Sequence, residues 1–394
     1  MGLEYFEMKS NAPGQLLGYV LQLQRALVYL LQAGSGSSVC VEVFGDVGVI
    51  SGDKRISEED KSSISSNPVT DRSIELWKTF SNWLQAIHDG DIDIENTKFF
   101  IYSNYPGQDG IVNGLSRANT LEDAQKCITD IKRKLQDIDE EHVIYPYLQE
   151  VYKNKDLATK LIINFEFILG SKCSQDEVHQ ELRRMVLPEA YFTYIHDELL
   201  GWLTNNVMSK ISSKQKAIIL WEELEKKASN IFQRARSKEL IDFTTKKSSV
   251  DPDVREQLNT YPYYLQQLKI INLDEDQQIQ AISDFLRSKV NIQRWIEGGL
   301  IDEDIAVDFE EKLKRYWENL SKRIAVMNKL KEPKERGLLV YLDCMDRQET
   351  ISNQRPPACI TAGVYHTLAN TDQIGWHEDW KRILKKINSE SINV

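Results

Sequence analysis

Residues 39–84 constrain the chain most. Val39, Val41 and Val43 alternate as a β-strand does. Gly45-Asp46 interrupts that run, and Val47, Val49 and Ile50 resume it. Gly52-Asp53 is a second turn signal. A third strand then ends in Glu59-Asp60-Lys61. This hairpin system carries Glu42, Asp46, Glu59 and Lys61. Residues two apart on a strand share a face, so Glu59 and Lys61 are expected to look into one site, and Glu42 to share a face with Phe44.

That set of groups suits phosphodiester hydrolysis. The reaction needs a hard divalent cation to polarise phosphate and activate water. Mg²⁺ is usually held by one or two carboxylates plus phosphate and water. Asp46 and Glu59 are the expected metal carboxylates (Mg²⁺ or Mn²⁺). Glu42 is expected as a second-metal or supporting carboxylate. Lys61 is placed to steer water or offset charge on the phosphate. The plainer reading is that charges near turns are solvated surface groups. A Glu on a short strand, behind a long apolar helix, is an unusual place for such a group.

The surroundings are read in order. Asn11-Ala12-Pro13-Gly14 breaks the chain, and a helix apolar on most faces runs to about Gln32. Gln22 and Gln24 are expected at the edge of the site or simply satisfying polar neighbours. Thr70 or Asp71 is expected to cap the next helix, whose stripe Ile74, Trp77, Phe80, Trp83, Leu84 and Ile87 reads as core. Lys78, one turn into that helix, could touch a phosphate but reads first as a solvated lysine. Lys98–Tyr102 and Leu161–Gly170 read as further strands. Helices are expected over 121–136, 144–152, 175–185, 190–212 and 214–235. The Lys-, Ser- and Thr-rich passage around 243–252 marks the boundary between domains at 1–245 and 246–394. Beyond it, helices are expected over 253–270, 274–297 and 303–329, and 337–342 reads as helix or strand. The fold class is α/β (α+β): a mixed central sheet first, then a mainly helical domain.

Charge bounds the function. The 394 residues carry a net charge of −11, which is not that of a constitutive DNA binder. From Lys246 onward there are 24 acidic and 22 basic residues, a net of −2, so residues 1–245 carry −9. The hairpin system lies in the more acidic part, which argues against a freely active nuclease. The five cysteines, Cys40, Cys127, Cys173, Cys344 and Cys359, form no C-x-x-C pair and read as reduced thiols. The first residues lack the basic region of a signal peptide. The apolar run 16–31 is interrupted by Gln22, Gln24 and Arg25, so no membrane span is expected. His366 and His377 lack a partner motif and read as hydrogen-bonded packing histidines rather than zinc ligands. No Walker-type phosphate loop is present, so the chain is not its own ATPase.

Several strings together carry a resemblance. Gly18–Gln22 with Ala26-Leu27, Val41-Glu42 through Asp46, Glu59-Asp60-Lys61, and Thr70–Ser73 leading to Leu76–Thr79 resemble the restriction-endonuclease-like dsDNA endonuclease effector domain of CBASS and related anti-phage systems. Leu200-Gly201-Trp202 resembles that family's helical end. Independently, Tyr264–Leu268, Arg294-Trp295, Gly363–Ala369 and Ile374–His377 resemble the C-terminal domain of ABC-three-component effector proteins. Both in one chain resemble the nuclease subunit of a Lamassu defence complex. Many relatives carry Gln at the position of Glu59, so this chain departs toward the standard E-x-K form. The resemblance implies a bacterial, cytoplasmic subunit that docks an SMC-like ATPase of the Rad50 type and a small third subunit through its C-terminal half. It implies a nuclease restrained until foreign DNA is sensed, which then self-associates and cuts double-stranded DNA. Two alternatives stay open: a catalytically silent adaptor that docks the ATPase, and a standalone modification-dependent restriction nuclease.

Overall fold

The computed structural model describes residues 13–63, 67–170, 175–244, 246, 248 and 250–391. Cys173 and residues 1–12 lie outside them. The chain divides into two compact units, Met1–Leu187 with Phe192–Gln233, and Pro188–Tyr191 with Arg234–Val394. The compositional shift at 243–252 falls inside the second unit. The architecture is mixed α/β, with one mixed sheet in the first unit and a helical second unit.

The first unit opens with α1 (Pro13–Gln32), β1 (Ser37–Val41), β2 (Val47–Ser51), β3 (Lys54–Lys61), α2 (Ile74–His88) and β4 (Thr97–Ser103). It continues with α3 (Ile111–Ser116), α4 (Leu121–Lys134), α5 (Tyr145–Lys153), α6 (Lys155–Ile163), β5 (Phe165–Leu169), α7 (Gln175–Arg184), α8 (Phe192–Ser212), β6 (Ala217–Leu220) and α9 (Trp221–Arg236). The six strands lie in the order β5-β4-β3-β2-β1-β6. The β6-β1-β2-β3 side is antiparallel, and β3-β4-β5 is parallel.

Three expectations need correction here. The apolar run 161–170 is not one strand: Leu161–Ile163 closes α6, and Asn164 sits between it and β5. Helix and strand share an apolar composition there, and only Asn164 marks the break. Residues 214–235 are not one helix, because Ala217–Leu220 pair with Val41–Ser38 as an edge strand. The cap of α2 is Ser73, whose hydroxyl accepts from Leu76 N–H, rather than Thr70 or Asp71. Asp71 instead accepts from Ile111 N–H at 2.6 Å.

Helix α1 is buried on all faces from Leu21 to Leu31. Fully enclosing Leu27 and Leu30 is worth about 2 kcal/mol each. On the sheet's other face, Trp83 and Phe80 of α2 pack on Phe99 and Phe165, with ring centroids 5.2 and 4.9 Å apart. Trp77 and Trp83 are therefore core, and Lys78 is exposed, as their spacing predicts.

The second unit holds α10 (Pro252–Thr260), α11 (Tyr263–Ile270), α12 (Glu275–Glu297), α13 (Glu303–Met327), α14 (Pro333–Asp346), α15 (Ala358–Asn370) and α16 (Trp380–Ser391). The expected helix 253–270 is broken in two because Tyr261 turns left-handed, with φ 45°, before Pro262. Residues 337–342 are helical, inside α14. Gly363 lets α15 lie against α12, since a Cβ there would collide with Asp284 C=O and Ser288. Among the described residues, no helix is long and apolar enough to cross a membrane.

Candidate functional site

The candidate site sits where β2 leaves its turn and β3 ends. Val47 with Glu58 is the last pair between β2 and β3, and Asp46 and Glu59 each lie one residue beyond it. The Asp46 carboxylate accepts Asp60 N–H at 2.7 Å, which ties the turn to β3. Glu59 and Lys61 share a strand face, and their side chains meet at 3.0 Å. Lys61 also reaches Glu75 in the first turn of α2, at 3.5 Å.

Glu42 differs from its expected place. β1 ends at Val41, and Glu42 lies beyond it in left-handed backbone, φ 56°. It therefore shares no strand face with Phe44, whose ring folds over Gly48, where a Cβ would collide with it. The Glu42 carboxylate accepts Gln22 Nε2 of α1 at 3.0 Å, so Gln22 does approach the site. Gln24 instead meets His196 at 2.9 Å inside the core. Glu42, Asp46, Asp60 and Lys61 line a cleft of about 450 Å³, whose lips are the first turns of α1 and α2.

The electrostatics follow from burial and crowding. Burial, then the charge of Glu59, pushes the Asp46 carboxyl up to about 6, against the Asp60 N–H and Lys61. Burial works to neutralise Lys61, but the charge and hydrogen bond of Glu59 outweigh it and raise its pKa. Burial and the neighbouring Glu58 hold the Asp60 carboxyl well above the usual carboxylate range. Glu58 itself is fully enclosed and clamped by Arg25 of α1, with Nε and Nη2 donating at 2.8 Å each, and by Tyr29 Oη at 2.6 Å. Arg25 also reaches Glu177 at 2.7 Å and lies 4.2 Å from the centre of the Tyr102 ring. Sequence reading passed over Arg25, Glu58 and Asp60. The one signal was a lone arginine in an apolar helical run, which demands a buried partner.

Hard oxygen donors from Asp46 and Glu59 fit a divalent cation, and their mutual repulsion is what such an ion would relieve. Among the described residues no group of three His, Cys, Asp or Glu side chains is arranged to hold a metal. His366 joins no metal site. It is fully enclosed between Tyr264 and Tyr341, and neither ring nitrogen has a partner among the described residues. The expectation of a packing histidine holds, but not that of a hydrogen-bonded one. His377 Nδ1 accepts Asp379 N–H at 3.0 Å.

Three of the four strings of the second unit meet in one joint, while Trp295 instead donates to Ile241 C=O at 3.0 Å. Gln267 is buried and donates to Ala369 C=O at 2.8 Å and Ile374 C=O at 3.3 Å, while its carbonyl accepts Trp376 N–H at 3.2 Å. Trp317 Nε1 closes the same joint on Gly375 C=O at 3.0 Å. Residues 264–384 match C-terminal domain 7 of the ABC-three component (ABC-3C) systems. The second unit thus carries a domain of the kind found in ABC-3C systems. It covers α11 through the first turn of α16, the span that the Gln267 joint holds together.

Among curated proteins none matches the sequence. Similar solved structures include the Acinetobacter baumannii Cap4 SAVED/CARF-domain containing receptor, alone and with the cyclic trinucleotides 2'3'3'-cAAA and 3'3'3'-cAAA. Identity is 14% in all three, with TM-scores of 0.36, 0.35 and 0.34 respectively. The similarity covers 70–73% of this chain and 60% of that receptor, so the chain spans under two thirds of its length.

Proposed function

We propose that the first unit is a restriction-endonuclease-like, Mg²⁺- or Mn²⁺-dependent dsDNA endonuclease, and that the chain is the effector of a Lamassu-type complex. One observation carries the reading. Asp46 and Lys61 line one open cleft, and Glu59 meets Lys61 at 3.0 Å with its charge felt at Asp46. A divalent ion bound there would supply Lewis-acid polarisation of the phosphate and an activated water. Asp46 and Glu59 hold the ion. Lys61, kept charged by Glu59, orients water and offsets charge on the phosphate. Glu42 is held by Gln22 at the cleft wall as a supporting carboxylate.

Partners follow from charge and the C-terminal match. Phosphate affinity is mainly electrostatic, and the chain carries −11. We therefore assign DNA delivery to an SMC-like ATPase partner and a small third subunit, docked by the second unit in the bacterial cytoplasm. Release on foreign-DNA sensing is followed by self-association and cutting.

The adaptor reading keeps one specific support: Lys61 is already paired with both Glu59 and Glu75. Plasmid cleavage by the purified chain, alone and with its ATPase partner, with Mg²⁺ or EDTA, separates the readings. Metal-dependent cutting that Lys61→Ala abolishes supports the nuclease. Absence of cutting in every condition, with partner binding intact, leaves the adaptor. Cutting by a chain that never co-purifies with an ATPase points to a standalone restriction nuclease.

A further inference from the structure

The turn that carries Asp46 is held from the side of the sheet away from α1. Ser57, at the centre of β3, is fully enclosed. Its hydroxyl donates to Phe44 C=O at 2.8 Å. The same hydroxyl accepts Trp83 Nε1–H at 3.2 Å. A Ser oxygen between one donor and one acceptor has no free rotor, so its proton is committed to Phe44.

The turn's other outside ties end on side chains, Asp46 on Asp60 N–H at 2.7 Å and Glu42 on Gln22 at 3.0 Å, whereas Ser57 holds its backbone at Phe44. Glu42 is left-handed without being glycine, a conformation that persists only where neighbours over-determine it. Gly45, φ 141°, runs so close to β3 that a Cβ would stand 2.9 Å from Glu58 C=O and 3.0 Å from Ser57 Oγ. Within the turn, one backbone bond, Glu42 N–H to Asp46 C=O at 3.0 Å, closes the loop.

We propose that Ser57 is a positioning residue: backed by Trp83, it fixes the 42–46 turn and so sets where the Asp46 carboxylate points. The inference rests on the nuclease reading for its meaning, but its geometry is testable apart from it. Neither residue touches the cleft, so any effect on cation or phosphate must pass through the turn.

The first arm needs no activity. Amide hydrogen exchange is followed in peptides spanning 40–48 and in peptides from the remainder of the sheet. Ser57→Ala removes one buried bond and is expected to speed exchange in the turn about tenfold, leaving β4 and β5 unchanged. Trp83→Phe leaves the Ser57–Phe44 bond in place and is expected to act in the same direction but less. The double variant is expected to match Ser57→Ala, because the two groups act in series. Ser57→Thr keeps the hydroxyl and is expected to restore protection. The second arm is plasmid cutting. Ser57→Ala is expected to raise the Mg²⁺ concentration for half-maximal cutting about tenfold, with KM for DNA unchanged.

Unchanged turn exchange in Ser57→Ala overturns the proposal. So does uniform acceleration over the whole sheet, which marks a merely structural serine. If Ser57→Ala does not fold, Trp83→Phe decides: local acceleration supports the inference, and none overturns it. If the wild-type chain does not cut at all, the nuclease reading falls and the exchange arm alone decides this one.

Discussion

The two units differ in the kind of polar group they bury, ionisable carboxylates and a guanidinium in one and neutral aromatic rings in the other. Around the candidate site every element contributes to a tie: α1 through Arg25 to Glu58, α2 through Trp83 to Ser57, β3 through Asp60 N–H to Asp46. In the second unit the core around His366 and Trp376 leaves ring nitrogens without partners among the described residues. Charge explains the difference. An enclosed ionised pair is untenable unless its members meet, so Glu58 and Arg25 are clamped together, while the Asp60 oxygens, without hydrogen-bond partners among the described residues, are eased by burial that favours the neutral carboxyl. A neutral indole forgoes one hydrogen bond and a neutral imidazole two, a smaller cost than a bare buried charge, and aromatic packing offsets part of it. Rings of Tyr264, Phe285, Tyr341 and Trp376 form that packing.

The comparison breaks first at Glu58. Glu58→Ala leaves the enclosed Arg25 with Glu177 as its one carboxylate partner, and denaturant unfolding is expected to lose about 3 kcal/mol. A loss under 1 kcal/mol would mean that water already shares the clamp. Next comes Gly363→Ala, where a methyl group meets Asp284 C=O. Overpacking at this α12–α15 contact is expected to cost about 1–3 kcal/mol without touching plasmid cutting.

Asp46→Asn sharpens the comparison with the opposite sign. The folded-state carboxyl titrates near 6 rather than 3.8, so its ionised form opposes folding. That opposition is absent below pH 4, grows between pH 4 and 6, and is full above pH 6. Asp46→Asn should therefore stabilise the chain by about 2 kcal/mol at pH 7 and leave it unchanged at pH 3.5, while abolishing cutting. Equal stability at both pH values would show the carboxylate to be well solvated.

His366→Phe tests the second unit. Burial holds His366 down to about 3, so the native state resists its protonation. Stability from this group is complete above pH 6.5 and falls as pH drops toward 3. The variant is expected to gain about 1 kcal/mol at pH 7 and more at pH 5, read as a shift in thermal midpoint. An acid profile identical to wild type would show that His366 is not what limits acid stability.

Much of this was readable before any coordinates. The Val alternation, the Gly-Asp turns and the E-x-K spacing gave three strands and put Glu59 beside Lys61. Spacing failed where geometry is not periodic. Glu42 looked like the next strand residue, yet the chain turns left-handed there so that Asp46 can return to Asp60 N–H on β3. The short edge strand β6 is hidden in a helix-like run, because four residues carry no period. The joint of the second unit was visible as strings around 264–268, 363–369 and 374–377, but only the fold shows why: Gln267 bonds three backbone groups at once. Arg25, Ser57 and Asp60 were missed because each acts through a partner distant in sequence.

The edge pairing of Ser38 with Leu220 has a consequence for how the protein is made. β1 leaves the ribosome long before its outer neighbour exists. At ordinary elongation rates the open side of the hairpin waits on the order of ten seconds or more for β6. During that interval a row of unpaired N–H and C=O groups beside Val39 and Val41 is available to any other extended chain. Newly made chains are therefore most prone to misassociate before residue 220 emerges, and truncations ending short of Ala217 should aggregate where the full chain does not.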